Sequence, residues 1–409
     1  MLFLAGGVGV GAAAIVLAIL ADRAQFAFAK LLAQSSYISL LVTPLGFMVA
    51  VFVTNRYFPN SQGSGIPQAI AARKLTDQTA RSRLVSIRIA IGKIILTLFG
   101  LLCGASVGRE GPTVQIGASL MFALGRFSPR RQPGLILAGA SAGVAAAFNT
   151  PLAGIVFGIE EMSRSFETRA SSLIIAAVIA AGLTSLAVMG NYTYFGTSAT
   201  ALRNGADWLT IPACGIVGGL MGGLFSRIVV MLSVGFVHPV GRAIKSHPFL
   251  FALTCGVAVA LCGIASGDTI YGTGYAQVKT ALENGTPLPV SFGILKFLAT
   301  TFAAISGIPG GIFSPSLAIG AGLGSNIAAF FHGAPLEAVI LLGMVAYFAG
   351  VVQAPITAFV IVTEMTDNHA MVVPLMAASM IAYATSRLVC KEGVYHALAK
   401  GFTASASRS

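Results

Sequence analysis

Charge is scarce in this chain. Only 9% of its 409 residues are Asp, Glu, Lys or Arg, against about a quarter in a soluble domain, so an ordinary water-facing globular surface is excluded. Five cysteines (Cys103, Cys214, Cys255, Cys262 and Cys390) lack paired or metal-ligand spacing, which argues against a disulfide framework or a zinc site. The five histidines are equally scattered. Neither a Ser/His/Asp set nor a nucleophile beside a cofactor loop is visible, so a membrane-embedded enzyme is disfavoured and no cofactor is expected. The flank before the first apolar run carries no Lys or Arg, and no convincing cleavage site follows Leu20. That run therefore reads as a retained span and not as a signal peptide.

What is abundant is apolar. Hydrophobic residues make up 56% of the chain, and long runs recur at Leu2 to Leu20, Ile38 to Val53, Ile89 to Cys103, Leu173 to Val188, Phe249 to Ile264 and Val339 to Val352. Each approaches the ~20 residues that cross a hydrocarbon core. The expectation is an all-α polytopic membrane protein whose solvent is the lipid bilayer. The net charge of +12 would suggest nucleic acid in a soluble protein, but here the basic residues fall between apolar segments, as in Arg73 to Arg88 and Arg126 to Arg131. Short basic loops stay cytoplasmic. This puts Arg73 to Arg88 inside, with the tail bearing Arg387, Lys391 and Lys400, while Arg23 and Lys30 blur the pattern.

Self-similarity is the next signal. Gly63-Ser-Gly-Ile-Pro-Gln68 is echoed by Gly272-Thr-Gly-Tyr-Ala-Gln277, Pro112-Thr-Val-Gln-Ile-Gly-Ala118 by Pro315-Ser-Leu-Ala-Ile-Gly-Ala321, and Pro151-Leu-Ala-Gly-Ile-Val-Phe157 by Pro355-Ile-Thr-Ala-Phe-Val-Ile361. The offsets are 209 (63 to 272), 203 (112 to 315) and 204 (151 to 355), and a Glu follows nine residues after the last proline in both copies, Glu160 and Glu364. Three anchors in one order predict a duplicated chain with approximate halves 1–205 and 206–409 in a single transmembrane domain. Transporters built this way are commonly inverted repeats that hold substrate where broken helices meet near the midplane.

The anchors themselves carry the chemistry. Gly63-Ser-Gly-Ile-Pro67, Gly108-Arg-Glu-Gly-Pro112 and Gly311-Ile-Phe-Ser-Pro315 each place proline in a first helical turn behind permissive glycine. Each reads as a helix N-terminus, which offers free N–H groups and about half a positive charge to an anion. Ser64 adds a hydroxyl donor. Close packing explains many of the 48 glycines in membrane helices, but it does not explain Arg109-Glu110. A carboxylate beside an anion site competes for it when charged, so Glu110 is expected to titrate and gate together. Glu160 and Glu161 end an apolar segment and precede Arg164; spacing leaves a solvated helix end and a functional carboxylate equally open. Lys93, within an apolar run, is either an electrostatic partner of the site or a snorkelling side chain.

With these motifs on view, the sequence resembles the CLC family of chloride channels and proton-coupled chloride antiporters over nearly its whole length. The three Gly/Pro motifs match the family's anion-site motifs in order and spacing, and Tyr395 in Gly393-Val-Tyr-His396 falls where the family has its site tyrosine. The resemblance implies two inverted-topology repeats of broken and tilted helices. It implies an anion-binding set of Ser64, Gly65, Ile66, Arg109, Glu110, Gly111, Ile312, Phe313 and Tyr395, with Ser64 and Tyr395 contributing hydroxyls and Ile312 and Phe313 backbone N–H groups. Glu110 becomes the external gate.

The segment Ala147 to Met162 resembles the family stretch that ends in the inner proton glutamate, which falls on Glu161. Family channels commonly have an apolar residue there, so Glu161 favours a chloride/proton antiporter over a passive channel. Serine at position 64 disfavours the nitrate exchangers, which have proline. The resemblance further implies a homodimer with one pathway per subunit, chloride and protons as partners, and a bacterial inner-membrane protein without the nucleotide-responsive domain pair of eukaryotic relatives.

Overall fold

A chain this apolar must satisfy its backbone internally in lipid, and helices do so within one segment. The computed structural model describes residues 2–163, 168–190, 193–196, 198–203, 205–234 and 246–406. In chain order its α-helices are α1 (Leu2–Leu32), α2 (Ser39–Tyr57), α3 (Ile66–Lys74), α4 (Gln78–Ser82), α5 (Ile87–Leu102), α6 (Glu110–Leu124), α7 (Gln132–Phe148), α8 (Pro151–Phe157) and α9 (Thr168–Met189). The second series is α10 (Thr210–Val234), α11 (Pro248–Ala265), α12 (Tyr275–Asn284), α13 (Phe292–Ile305), α14 (Phe313–Ala328), α15 (Leu336–Val352), α16 (Pro355–Thr366), α17 (Val372–Val389) and α18 (Val394–Ala406). Six segments among the described residues are long and apolar enough to cross a membrane: Leu2–Leu32, Ser36–Tyr57, Gln78–Leu102, Ala206–Ser233, Pro248–Ala265 and His369–Val389. This is a multi-pass membrane protein.

Between the spans lie helices too short to cross. The nine residues of α3 rise only about 14 Å at 1.5 Å per residue, and while its last residue, Lys74, is exposed, its start at Gly65 and Ile66 is buried inside the protein. All three Gly/Pro motifs begin helices as expected, α3, α6 and α14, with proline in the first turn of α3 and at the third residue after the N-cap of both α6 and α14. The first run extends beyond Leu20, since α1 continues to Leu32. Arg23 and Lys30 therefore belong to a helix and not to a loop.

Features at matching places in the two repeats recur in three dimensions. Asn149 and Gln353 end α7 and α15 with left-handed φ of 57° and 56°. Lys93 of α5 donates to the carbonyls of Ser61 and Gly63 at 2.5 and 2.8 Å, and Lys296 of α13 donates to those of Ile270 and Gly272, both at 2.7 Å. Both lysines are fully buried, so the snorkelling alternative for Lys93 is excluded. The carboxylate of Glu160 accepts from the N–H groups of Ile356 and Thr357 at the start of α16, while Glu364 accepts from Leu152 and Ala153 at the start of α8. Each repeat thus caps a helix of the other. The chain is a pair of inverted repeats of broken helices clasped by this exchange.

Candidate anion-binding site

Backbone hydrogen bonds draw the three motif loops together. Gly63 donates to Ile308 O and Gly310 to Gly63 O, each at 3.0 Å, while Gly108 and Gly311 exchange two bonds of 2.7 Å. The starts of α3, α6 and α14 are thereby held at one place. Gly65, the N-cap of α3, has a φ of 98°, which a side-chain-bearing residue rarely adopts. A Cβ at Gly111 would lie 2.3 Å from Ser64 Oγ, so this glycine admits the Ser64 hydroxyl to the α6 terminus.

None of these three helices has a side-chain cap. Elsewhere the chain does provide caps: Asp77 and Ser86 accept from the first turns of α4 and α5, and Glu364 and Glu160 serve α8 and α16. Uncapped buried termini keep N–H groups that need an acceptor. The side chains around them share that character. Ser64 Oγ and Tyr395 Oη lie within interaction range of each other, yet both are buried without a partner at hydrogen-bond geometry. The aromatic ring of Phe313 is clustered with Phe148, Phe157 and Phe348, which fixes the α14 terminus.

Glu110, fully buried, lies over the meeting point. A Cβ on Gly108 would fall 2.3 Å from its Oε2 and 3.1 Å from Pro315 of α14, so the carboxylate is folded back between the α6 and α14 starts. Its Oε1 accepts from Tyr194 Oη at 3.2 Å, and that hydroxyl is 3.4 Å from Ser314 Oγ. Oε2 has no partner. Arg109 contributes its backbone alone, because its guanidinium turns away to Asp22 Oδ1 at 2.6 Å and Ala18 O at 2.7 Å.

Glu161 is buried in a π-helical turn, Gly158–Ser163, a local widening often found at functional sites. The solvated-end alternative therefore fails for Glu161. Arg164 lies outside the described residues; among the described residues, Arg73 of α3 donates to Met162 O at 3.0 Å and Ser163 Oγ at 3.1 Å. Tyr395 is within electrostatic reach of both Glu161 and Glu110. A cavity of about 650 Å³ reaches Ser64, Ile312 and Tyr395 from one side. A second, of about 590 Å³, is lined by Asp22, Gln25, Thr273 and Tyr275, and Tyr275 meets Tyr194 edge to face with ring centres 4.9 Å apart. Glu110 and its tyrosine thus stand between the two approaches.

Sequence reasoning brought Ser64, Gly65, Ile66, Arg109, Glu110, Gly111, Ile312, Phe313 and Tyr395 to one cluster, with Glu161 beneath it. It missed Tyr194 and Ser314, which hold the gate carboxylate, and Asp22, which takes the arginine. Tyr194 stands outside the spans with no periodic signal. Lys296 was findable, since it follows Lys93 by the same interval (93 to 296) that separates Pro112 from Pro315.

Comparison with known proteins decides the family: residues 46–387 match the family described as voltage gated chloride channel. The chain belongs to the CLC family. It is 32% identical over 401 residues to a protein of Yersinia pestis named H(+)/Cl(-) exchange transporter ClcA, covering 90% of this chain and 80% of that one. A ClcA of Citrobacter koseri is 33% identical over 377 residues, 84% and 76% of the two chains. Among solved structures, a slow cyanobacterial Cl⁻/H⁺ antiporter superposes with a TM-score of 0.81 at 26% identity, covering 99% of this chain and 98% of that one. A CLC-type fluoride/proton antiporter superposes equally well, at 0.81 and 22% identity, over 97% and 96%. At that identity it speaks for the CLC fold alone.

Proposed function

We propose that this CLC protein exchanges chloride for protons across a membrane, with the anion held by the starts of α3, α6 and α14 and the proton carried by Glu110 and Glu161. The observation that carries the reading is the contrast in capping: the starts of α8 and α16 each receive a glutamate from the other repeat, and these three buried starts receive no side chain. Moving a bare ion into low dielectric costs on the order of 20 kcal/mol in the idealised limit. Uncapped N–H groups, helix dipoles and the hydroxyls of Ser64 and Tyr395 offset much of that without a fixed cation that would slow exit.

Glu110 supplies the coupling. As a carboxylate folded against the α6 and α14 starts, it occupies what an anion would occupy; once protonated it has no such claim and can yield. Chloride and the charged side chain therefore exclude one another. Glu161, with Tyr395 between it and Glu110, is the relay on the other side. The names of the ClcA relatives and of the cyanobacterial structure, which speak of Cl⁻/H⁺ exchange, support antiport over a passive channel, as does a carboxylate at position 161.

In the same reading the basic Arg73 to Arg88 loop faces the cytoplasm of a bacterial inner membrane, and halves 1–205 and 206–409 form one domain. Two subunits pair, each with its own pathway. The protein is a transporter and not an enzyme. Reconstituted into liposomes, it should pump protons uphill when given a chloride gradient alone. Chloride flux with no accompanying proton movement would make it a channel instead.

A further inference from the structure

His396 is unused by the pathway as described, yet it is built into it. It follows Tyr395 directly on α18, so one turn carries both the site hydroxyl and this imidazole. Its Nε2 lies 2.8 Å from the backbone oxygen of Glu161 and 3.4 Å from Oε1 of the same residue. Both side chains are buried, at 6% and 3% exposure. A carbonyl only accepts, so Nε2 keeps its hydrogen in the neutral and the charged ring alike, and titration falls to Nδ1.

Resting on the relay reading of Glu161, we propose that His396 is a positioning residue that sets the proton occupancy of Glu161 as a pH-responsive counter-charge. The bond to the Glu161 carbonyl anchors the ring to the π-helical turn whatever its charge. When the ring is cationic, its charge 3.4 Å away favours the carboxylate; when neutral, it leaves Glu161 ready to take a proton. An imidazole is the side chain that makes this change between about pH 5 and 8. The two groups therefore titrate as one unit.

Among the described residues, the other charges on the elements packed against the pair are engaged or turned to the surface, Lys74 of α3 being exposed. Arg73 of α3 is engaged with Met162 and Ser163. Glu160 is turned to the α16 start, and Lys400 is paired with Glu392 on the solvent side of α18. Arg227, the one charged residue of α10, is exposed, and Glu337, the one charged residue of α15, lies at that helix's far end.

The test is the dependence of chloride-driven proton uptake on inner pH in liposomes, for the wild-type protein, His396→Gln and His396→Asn. Both amides keep an N–H donor and lose the titration. Each is expected to shift the midpoint of the profile by about one unit, tenfold in proton concentration. Wild-type profiles in a folded amide variant would overturn the inference and leave His396 as a structural donor only. Having two amides guards against one failing to fold. Glu161→Gln separates the two levels of the argument. If it retains chloride-driven proton uptake, the relay reading of Glu161 fails; if it loses uptake while the His396 variants titrate like the wild type, only the present inference fails.

Discussion

The starts of α3 and α12 are counterparts in the two repeats, and they end differently. At α3 the turn Gly63-Ser64-Gly65 leaves its hydroxyl without a partner. At α12 the equivalent Thr273 is taken: its N–H and hydroxyl both donate to Gln25 Oε1, at 2.9 and 3.2 Å. A side-chain amide from α1 thus occupies in the second repeat what is left uncapped in the first. The lysines beneath the two turns are the same, as are the glycines, so the local motif does not decide which terminus serves an anion. If the α3 terminus serves the anion as proposed, what decides is whether the rest of the fold sends a side chain to fill it.

This contrast yields graded expectations. The largest concerns termini that are filled. Glu160→Ala and Glu364→Ala each remove two charge-assisted bonds to a helix start and should each cost about 3 kcal/mol of stability, read as an earlier thermal unfolding in detergent. If only one of the two destabilises, the reciprocal clasp is not symmetric in energy.

Next come the lysines. Replacing Lys93 or Lys296 with Met orphans two carbonyls and should cost about 2 kcal/mol in either case. Only Lys93→Met, which loosens the Gly63-Ser64 turn, should also weaken chloride binding measured by calorimetry. Equal effects on binding would mean that both turns serve the anion.

The smallest effect is that of single hydroxyls. Ser64→Ala should raise the chloride dissociation constant about fivefold, the worth of one hydrogen bond of roughly 1 kcal/mol. Thr273→Ala should leave it unchanged, because Gln25 already fills that turn.

Much of this was legible in the sequence because glycine and proline act locally. Gly63 to Pro67, Gly108 to Pro112 and Gly311 to Pro315 each start a helix by local chemistry, and nearly equal spacing between echoed motifs exposes a duplication. The roles of Glu160 and Glu161 were not legible. Adjacent and identical, they point in different directions, Glu160 to the α16 start and Glu161 into the interior near Tyr395, because successive side chains on a helix diverge by about 100° and spacing alone does not say which of the two faces inward. Gln25, Asp22 and Tyr194 escaped for a related reason. Their partners lie far along the chain, and nothing in their own neighbourhood marks them.

The central claim is that a charged Glu110 competes with chloride for uncapped helix starts. Glu110→Gln tests it most directly, since the amide resembles the protonated acid and cannot ionise. In liposomes with a chloride gradient, this variant should show no proton uptake, with anion flux that no longer varies with pH. Uphill proton pumping by Glu110→Gln would contradict the account.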